Sequence, residues 1–201
     1  ESCLRSETTV KVFDQMRKLQ GFTDEGSPGR DWNVATGMVI EGKAGFQIMG
    51  DWAKGEFTAA GKVPGVDYYC AATPSNNGYL YNVDSFIFYK SSDPDKQAGQ
   101  KLLAKLMMGK NFQKVFNLYK GSIPARLDVS MDEFDKCAKT SNADIKTAGA
   151  SGGLVPSFAH GMAQGNTMKA ALQDIITEHF NSDMSSVDAA NALADSVLAN
   201  M

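Results

Sequence analysis

The chain has 201 residues, of which 43% are hydrophobic and 21% are charged, with a formal net charge of −3 at neutral pH. These values are typical of a globular protein that is long enough to bury a hydrophobic core. Acidic and basic residues are interspersed, without the clustered basic face of a duplex-binding protein, and no apolar run approaches the ~20 residues of a membrane span.

The first half of the sequence alternates helical patterns with short apolar runs. A first helix is predicted between Ser6 and Gly21, because Ser6 is a suitable N-cap and apolar residues follow at helical spacing. A second helix is predicted between Asp31 and Gly42, since Asp31 can cap it and Gly42 can stop it. The next predicted elements are a strand at 44–49, a helix at 52–60, a strand at 66–71, a turn at 73–78 and an extended segment at 79–89.

The second half is dominated by helical patterns. Pro94 is suited to the first turn of a helix that runs to Met108, and Lys120 precedes a tight loop marked by Gly121 and Pro124. Further helices are predicted at 112–119, 131–139, 162–180 and 186–200, with a polar, Gly-rich stretch at 141–159. Helices separated by about three strands favour an α/β fold with a small parallel or mixed sheet.

The cysteines and histidines lack the spacing of a metal site. Cys3, Cys70 and Cys137 form no CxxC pair, and neither His160 nor His179 has a cysteine nearby, which argues against structural zinc. The residues leave two interpretations open, a Cys70–Cys137 disulfide in an oxidising compartment or three buried thiols. Nucleotide-binding, hydrolase-elbow and zinc-protease motifs do not occur, so no cofactor is expected.

Trp52 follows Asp51 where a predicted strand changes into a predicted helix. Ligands of open α/β sheets bind outside the carboxyl ends of strands, and an indole face can carry the apolar C–H groups of a sugar ring. The structural alternative is a tryptophan that fills the core.

Three further positions combine polar groups with a defined backbone setting. Asn82 and Asp84 point the same way from an extended segment, and together they supply donors and acceptors for neighbouring hydroxyl groups. Lys120 would be presented by its tight loop, and His160 precedes the predicted 162–180 helix. The structural alternatives are an Asx-capped strand end, a solvated lysine and a histidine that bonds only to backbone.

Six segments in fixed order resemble the bacterial periplasmic sugar-binding proteins of ABC importers, in particular the glucose/mannose-binding branch of the family 1 extracellular solute-binding proteins. The most specific piece is KGSIPARLD, which follows Tyr119. The segments are GKAGFQIMGDWAKGEF, YYCAATP, NVDSF, NLYKGSIPARLDV, CAK and PSFAHGMA.

The resemblance implies a periplasmic binding protein-like (type II) α/β fold and assigns roles to single residues. Trp52 would stack on the sugar, while Asn82, Asp84, Lys120 and His160 would hydrogen-bond its hydroxyl groups. Cys70 and Cys137 match a cysteine pair that such glucose binders can carry as a disulfide. Trp32 is left as a packing residue. The implied partners are a monosaccharide, glucose above all, and an ABC membrane permease.

Family members are roughly twice as long, so the resemblance also implies that most of the N-terminal lobe is absent. Residues 1–78 and 128–201 would form the two parts of the C-terminal lobe, and residues 79–127 would cross to the other lobe. The Pro74-Ser75-Asn76-Asn77 turn departs from the Pro-Gly turn expected of the family. The expected location is the periplasm, with a signal peptide absent from this chain.

Two other functions remain open from the sequence. A carbohydrate-active hydrolase would use a carboxylate pair drawn from Asp51, Glu56 and Asp84, which requires a specific separation of the carboxyl groups. A fragment without a complete cleft could act only as an interaction domain. Catalysis is not expected, because reversible sugar binding needs only an aromatic platform and matched polar groups.

Overall fold

Residues 3–74 and 78–200 are described by the computed structural model, and eight α-helices make up most of this part of the chain. Residues 75–77 of the predicted 73–78 turn lie outside the described residues. The helices are α1 (Glu7–Gln20), α2 (Trp32–Ile40), α3 (Lys54–Ala59), α4 (Pro94–Met107), α5 (Lys110–Lys120), α6 (Lys136–Ser151), α7 (Asn166–Asn181) and α8 (Ser186–Ala199). A 3-10 turn, Asp51–Ala53, precedes α3, and strands β1 (Tyr79–Tyr81) and β2 (Leu154–Pro156) pair in a two-stranded sheet.

The chain divides into two units, and the first comprises residues 1–30 and 156–201. Its helices α1, α7 and α8 pack around Phe13, Ala189 and Ala190, which are buried. Small alanine side chains on α8 allow the phenyl ring of α1 to approach its backbone closely. The Ser6 hydroxyl accepts a hydrogen bond from the Thr9 backbone N–H, as predicted for the N-cap of the first helix.

The second unit comprises residues 31–155 and has its own buried cluster of Val129, Phe134 and Ala138. A disulfide joins Cys70 to Cys137, with 5.7 Å between the Cα atoms, and attaches the loop before β1 to the first turn of α6. Next to this turn the ammonium of Lys54 reaches the Asp135 carboxylate at 2.8 and 3.1 Å. The predicted cysteine pairing is therefore present, and Cys3 is a free, exposed thiol.

The predicted strands are mostly wrong. Residues 44–49 and 66–71 form no strand, and the extended segment at 79–89 is a strand only at Tyr79–Tyr81. Phe46 is 96% exposed and Ile48 is 70% exposed, so the apolar run at 44–49 lies against no neighbouring strand. A strand needs hydrogen bonds from a partner that can be far away in sequence. Among the described residues only β1 and β2 pair as strands, and Tyr68 of the predicted 66–71 strand forms just an isolated bridge with Pro64.

One helix is longer and later than predicted. The pattern at 131–139 predicts a helix there, and the polar stretch after it is expected to be irregular, whereas α6 runs from Lys136 to Ser151. The Asp135 carboxylate caps it by accepting from the Ala138 N–H at 2.8 Å. Alanine and lysine favour the helical state despite the glycine, and Gly152 ends the helix at a φ of 73°.

The architecture is helix-rich with a small sheet, in agreement with the sequence. The predicted division at residues 78 and 127 stays a prediction, as does the type II arrangement of lobes. None of the helices in the described ranges combines the length and the apolar character needed to cross a membrane.

Candidate functional site

Three of the five predicted sugar-binding side chains meet in the second unit. The Asn82 amide donates to Oδ1 of Asp84 at 3.3 Å, and the ammonium of Lys120 forms an ion pair with Oδ2 of the same carboxylate. The Lys120 ammonium also lies 5.9 Å from the centre of the Phe116 ring. Asn82, Asp84 and Lys120 are called the polar cluster below. Amide, carboxylate and ammonium groups offer donors and acceptors side by side, which suits a polyhydroxylated ligand.

The position of Lys120 follows from the end of α5. Gly121 ends this helix in the left-handed region, at a φ of 88°, where a residue with a side chain would be strained. A Cβ atom at Gly121 would lie 2.6 Å from the backbone nitrogen of Gly55 and 3.0 Å from the Cβ of Lys54. The turn after Lys120 therefore packs directly against the first turn of α3.

Asp51 links the same two segments through its carboxylate. Its Oδ2 accepts a hydrogen bond from the Ile123 backbone N–H at 3.2 Å, and the Ser122 side chain lies near it. Burial raises the pKa of Asp51 above its ordinary value, although the nearby ammonium groups of Lys54 and Lys120 act in the opposite direction. The carboxylate is thus held in a desolvated position between two lysines.

Trp52 lies in the 3-10 turn, one residue after Asp51, and is half-buried. Its six-membered ring lies against Gly50, where a Cβ atom would come within 2.1 Å of Cζ3. The next two residues, Ala53 and Lys54, are buried and hold the turn against the rest of the second unit. Trp52 is consequently anchored at its backbone while part of its indole remains exposed to solvent.

His160 belongs to the first unit and lies in a turn that precedes α7. The helix begins at Asn166, so the predicted start at residue 162 is wrong, and His160 is separated from the helix by five residues. Ser157 and His160 share a hydrogen bond of 2.7 Å between Oγ and Nδ1, and Ser157 is buried while the histidine is exposed. This hydrogen bond restrains the orientation of the exposed imidazole ring.

The sequence left several contacts of this region unpredicted. Asp51 entered only as a carboxylate of the hydrolase alternative, and its bond to Ile123 spans 72 residues of sequence. The Tyr79 hydroxyl hydrogen-bonds to that of Ser141 at 2.7 Å, which attaches β1 to α6. Local pattern carries no signal for pairs so far apart. Within the ranges that the structure describes, no three histidine, cysteine, aspartate or glutamate side chains gather closely enough to hold a metal ion.

Comparisons with known proteins agree on one family. Residues 4–148 match the model of the family described as bacterial extracellular solute-binding protein. A probable sugar-binding periplasmic protein of Brucella suis is 46% identical over 195 residues, which cover 96% of this chain and 46% of that protein. A protein of the same description from Rhizobium meliloti is 42% identical over 197 residues, covering 98% of this chain and 47% of the relative.

A more distant relative comes from an archaeon. An uncharacterized ABC transporter extracellular-binding protein of Pyrococcus horikoshii is 33% identical over 172 residues, which cover 85% of this chain and 38% of that protein. The chain spans about half the length, or less, of these curated relatives.

Proposed function

The chain belongs to the bacterial extracellular solute-binding protein family, and from that membership we propose that it is part of the substrate-binding component of an ABC sugar importer. It would bind a monosaccharide reversibly in the periplasm and deliver it to a membrane permease. The ligand proposed is glucose, as in the glucose/mannose-binding branch that the sequence resembles. Names of relatives that refer to sugar binding, the periplasm and ABC transport support this proposal.

The polar cluster is the observation that carries the proposal. A sugar hydroxyl both donates and accepts hydrogen bonds, so it binds best where a donor group and an acceptor group of the protein lie next to each other. The Asp84 carboxylate accepts from Lys120 and from Asn82, and a ligand hydroxyl could replace or extend either interaction. Hydrogen bonds to charged groups are the stronger kind, which favours affinity for a neutral but polar ligand.

Trp52 would supply the apolar half of the interaction. A pyranose presents C–H groups on one face, and an aromatic ring covers that face without competing for the hydroxyl groups at the rim. The half-buried indole is held from behind by its turn, so little side-chain freedom is lost when it meets a ligand. His160 is proposed as a further hydrogen-bonding group for the sugar, since its Nδ1 is already engaged by Ser157.

The proposed architecture is that of a type II binding protein. Residues 1–78 and 128–201 would belong to the C-terminal lobe, and residues 79–127 would cross toward the N-terminal lobe. In this proposal the protein is not an enzyme, because capture and release of a sugar require no bond to be broken.

The hydrolase alternative has one observation in its favour. The raised pKa of Asp51 is a property that a general acid needs. Its carboxylate, however, already accepts a hydrogen bond from the backbone N–H of Ile123 and lies near the side chain of Ser122, so it faces the protein's own turn. The same atoms are therefore better explained by a role in positioning that turn.

The test is calorimetry on the natural full-length protein with glucose, galactose and mannose, alongside nitrophenyl glycosides of the same sugars. Heat of binding with no release of nitrophenol supports the proposal. Release of nitrophenol would identify a hydrolase and overturn it. If none of the three sugars produces heat, the monosaccharide assignment is wrong.

A further inference from the structure

Two turns that are distant in sequence contact each other beside the polar cluster. The first is the 3-10 turn Asp51–Ala53, and the second is the turn that follows Lys120. The second turn approaches so closely that a Cβ atom at Gly121 would lie 3.1 Å from the Asp51 carbonyl oxygen. A Cβ atom at Gly55, in the first turn of α3, would lie 2.9 Å from the Lys120 carbonyl oxygen. Neither Gly55 nor Gly121 could therefore carry a side chain at this contact.

The Asp51 carboxylate forms a hydrogen bond between these two turns. It accepts from the Ile123 N–H at 3.2 Å and interacts with the side chain of Ser122, so it engages two successive residues of the second turn. A hydrogen bond from a backbone N–H to a carboxylate is of the stronger, charge-assisted kind, so it restrains the second turn. Trp52 follows Asp51 directly in the first turn, and Lys120 directly precedes the second turn.

The charges around Asp51 alternate in sign. The ammonium groups of Lys54 and Lys120 both attract its carboxylate, and the Tyr79 hydroxyl also interacts with it. Lys120 is paired with Asp84 on its far side, and Lys54 is paired with Asp135. Asp51 is therefore the central anion of a row that runs from the polar cluster to the disulfide-bonded end of α6.

Burial of this anion does not favour folding by itself. Desolvation raises the pKa of Asp51, so the ionised form that predominates at neutral pH is the one the folded state tolerates less well. The Asp51 carboxylate is charged at neutral pH although its burial disfavours the charge, and it lies next to proposed ligand-binding residues. This combination is typical of a group with a functional role.

We propose that Asp51 is a positioning residue, which bonds the turn that carries Trp52 to the turn that carries Lys120 and so presents the aromatic platform and the ammonium in a constant relation. The inference rests on the proposed function, since these two side chains are the proposed sugar contacts. Asp51 itself touches no ligand in this scheme.

The experiment compares Asp51→Asn with the wild-type full-length protein, both in a Trp32→Phe background that leaves Trp52 as the reporter within this chain. Asparagine keeps an acceptor for the Ile123 N–H but removes the charge that attracts Lys120. Glu41→Gln is the matched control, because it removes one negative charge from an exposed surface pair with Lys43. Sugar affinity, melting temperature and the pH dependence of Trp52 fluorescence without sugar are measured for each.

The expected result is an affinity for glucose that is lower by about five- to tenfold in Asp51→Asn, with a melting temperature at neutral pH that is unchanged or higher. When the pH is varied without sugar, Trp52 fluorescence of the Trp32→Phe protein should change with a midpoint above the ordinary carboxyl pKa of 3.8. This change should be absent when Asp51→Asn is added. A residue of purely structural importance would instead lower the melting temperature. Glu41→Gln should match the wild type in all three measurements.

Two results would overturn the inference. One is wild-type affinity in Asp51→Asn, and the other is a fluorescence titration that persists in that variant. If Asp51→Asn does not fold, Ser122→Ala removes the hydroxyl that lies near the carboxylate without changing charge, and it should lower sugar affinity while the melting temperature stays unchanged. If the wild-type protein binds no sugar, the proposed function fails, while the titration without sugar still decides whether Asp51 connects the two turns.

Discussion

The ammonium of Lys120 is paired with the carboxylate of Asp84, which lies 36 residues earlier in the chain. The Lys120 side chain is 29% exposed and that of Asp84 is 62% exposed, so solvent screens the attraction between them. Pairs of this kind contribute between about 0 and 1 kcal/mol to stability. Their effect is geometric: the ion pair brings the end of α5 to the segment after β1 and holds two proposed ligand-binding groups together.

Replacing Lys120 by methionine should separate binding from stability. The substitution keeps the apolar stem and removes the charge, so the melting temperature should change little while glucose affinity falls by tenfold or more, as expected for a lost hydrogen bond from a charged group worth roughly 1.5–3 kcal/mol. Calorimetry and thermal unfolding on the full-length protein measure both quantities. Lys114→Met is the matched control, because Lys114 lies on the same helix as Lys120 and makes a surface pair with Glu133. Equal affinities in both variants would contradict the role of Lys120.

Trp52→Ala should lower sugar affinity by more than about fivefold, which corresponds to the ~1 kcal/mol that truncation of an aromatic contact typically costs. Trp52→Phe should restore most of the loss, since a phenyl ring still covers the C–H face of the sugar. Trp32→Phe serves as the control, because Trp32 is assigned a packing role. The role of Trp52 in stacking is wrong if Trp52→Ala binds glucose as well as Trp32→Phe does.

Loss of the disulfide should destabilise the second unit. The bond closes a loop with a sequence separation of 67 residues, and loop entropy predicts a contribution of roughly 4 kcal/mol. Urea unfolding of Cys70→Ser/Cys137→Ser should show a loss of that order, and reduction of the wild-type protein should reproduce it. Cys3→Ser should have no effect, because Cys3 is exposed and unpaired with another cysteine. A double variant as stable as the wild type would show that the loop is already restrained by other contacts.

The first unit should lose stability on acidification because of His179. This side chain is fully buried against Phe13, with its ring 4.8 Å from the phenyl ring, and burial together with Arg17 lowers the pKa of the imidazole despite the opposing effect of Asp14. The folded state therefore prefers the neutral form. Its stabilising contribution is present above the ordinary value of 6.5 and is lost as the pH falls below it toward the lowered pKa.

Hydrogen exchange of α7 amides between neutral and mildly acidic pH measures this effect. The opening free energy should fall by at most about 1.4 kcal/mol per pH unit, the value for one proton. His160→Gln should retain the same pH dependence, because His160 is exposed, whereas His179→Gln should remove it. An unchanged pH dependence in His179→Gln would assign the effect to another group.

Replacement of the buried Lys54 should lower the free energy of unfolding more than replacement of an exposed lysine does. Its side chain is 7% exposed, and its partner Asp135 is 34% exposed. Removal of one partner of a buried pair costs about 3–5 kcal/mol, and the partial exposure of Asp135 reduces the expected loss to about 1–3 kcal/mol for Lys54→Met. Lys96→Met is the control, because its surface pair with Asp93 is largely solvated. Chemical unfolding of both variants decides the point.

Most of the helices could be predicted because their signals are local, with α6 and the start of α7 as exceptions. Ser6 caps α1 and Pro94 begins α4 as the sequence indicates, and α5 and α8 lie in the regions predicted at 112–119 and 186–200. The predicted strand at 44–49 failed for the opposite reason. Its apolar residues satisfy the composition of a strand, but no pairing partner is present in the described part of the second unit.

The same distinction holds for the candidate site. Asn82 and Asp84 could be predicted to lie together because two residues of one extended segment share a face, and they are in contact in the structure. The involvement of Lys120 needed family resemblance as well as its loop pattern. The bond from Asp51 to Ile123 could not be foreseen, because it depends on the packing of two turns that no local pattern relates.

The indole of Trp52 lies where a side chain at residue 50 would begin, with Cζ3 only 2.1 Å from the position of a Cβ atom. A glycine hydrogen therefore sets the tilt of the ring, and a methyl group there would force the ring to turn while its chemistry stayed the same. Gly50→Ala is in this sense an orientation variant. It offers a way to ask how strongly the choice among sugar epimers depends on the angle of the platform rather than on the polar groups around it.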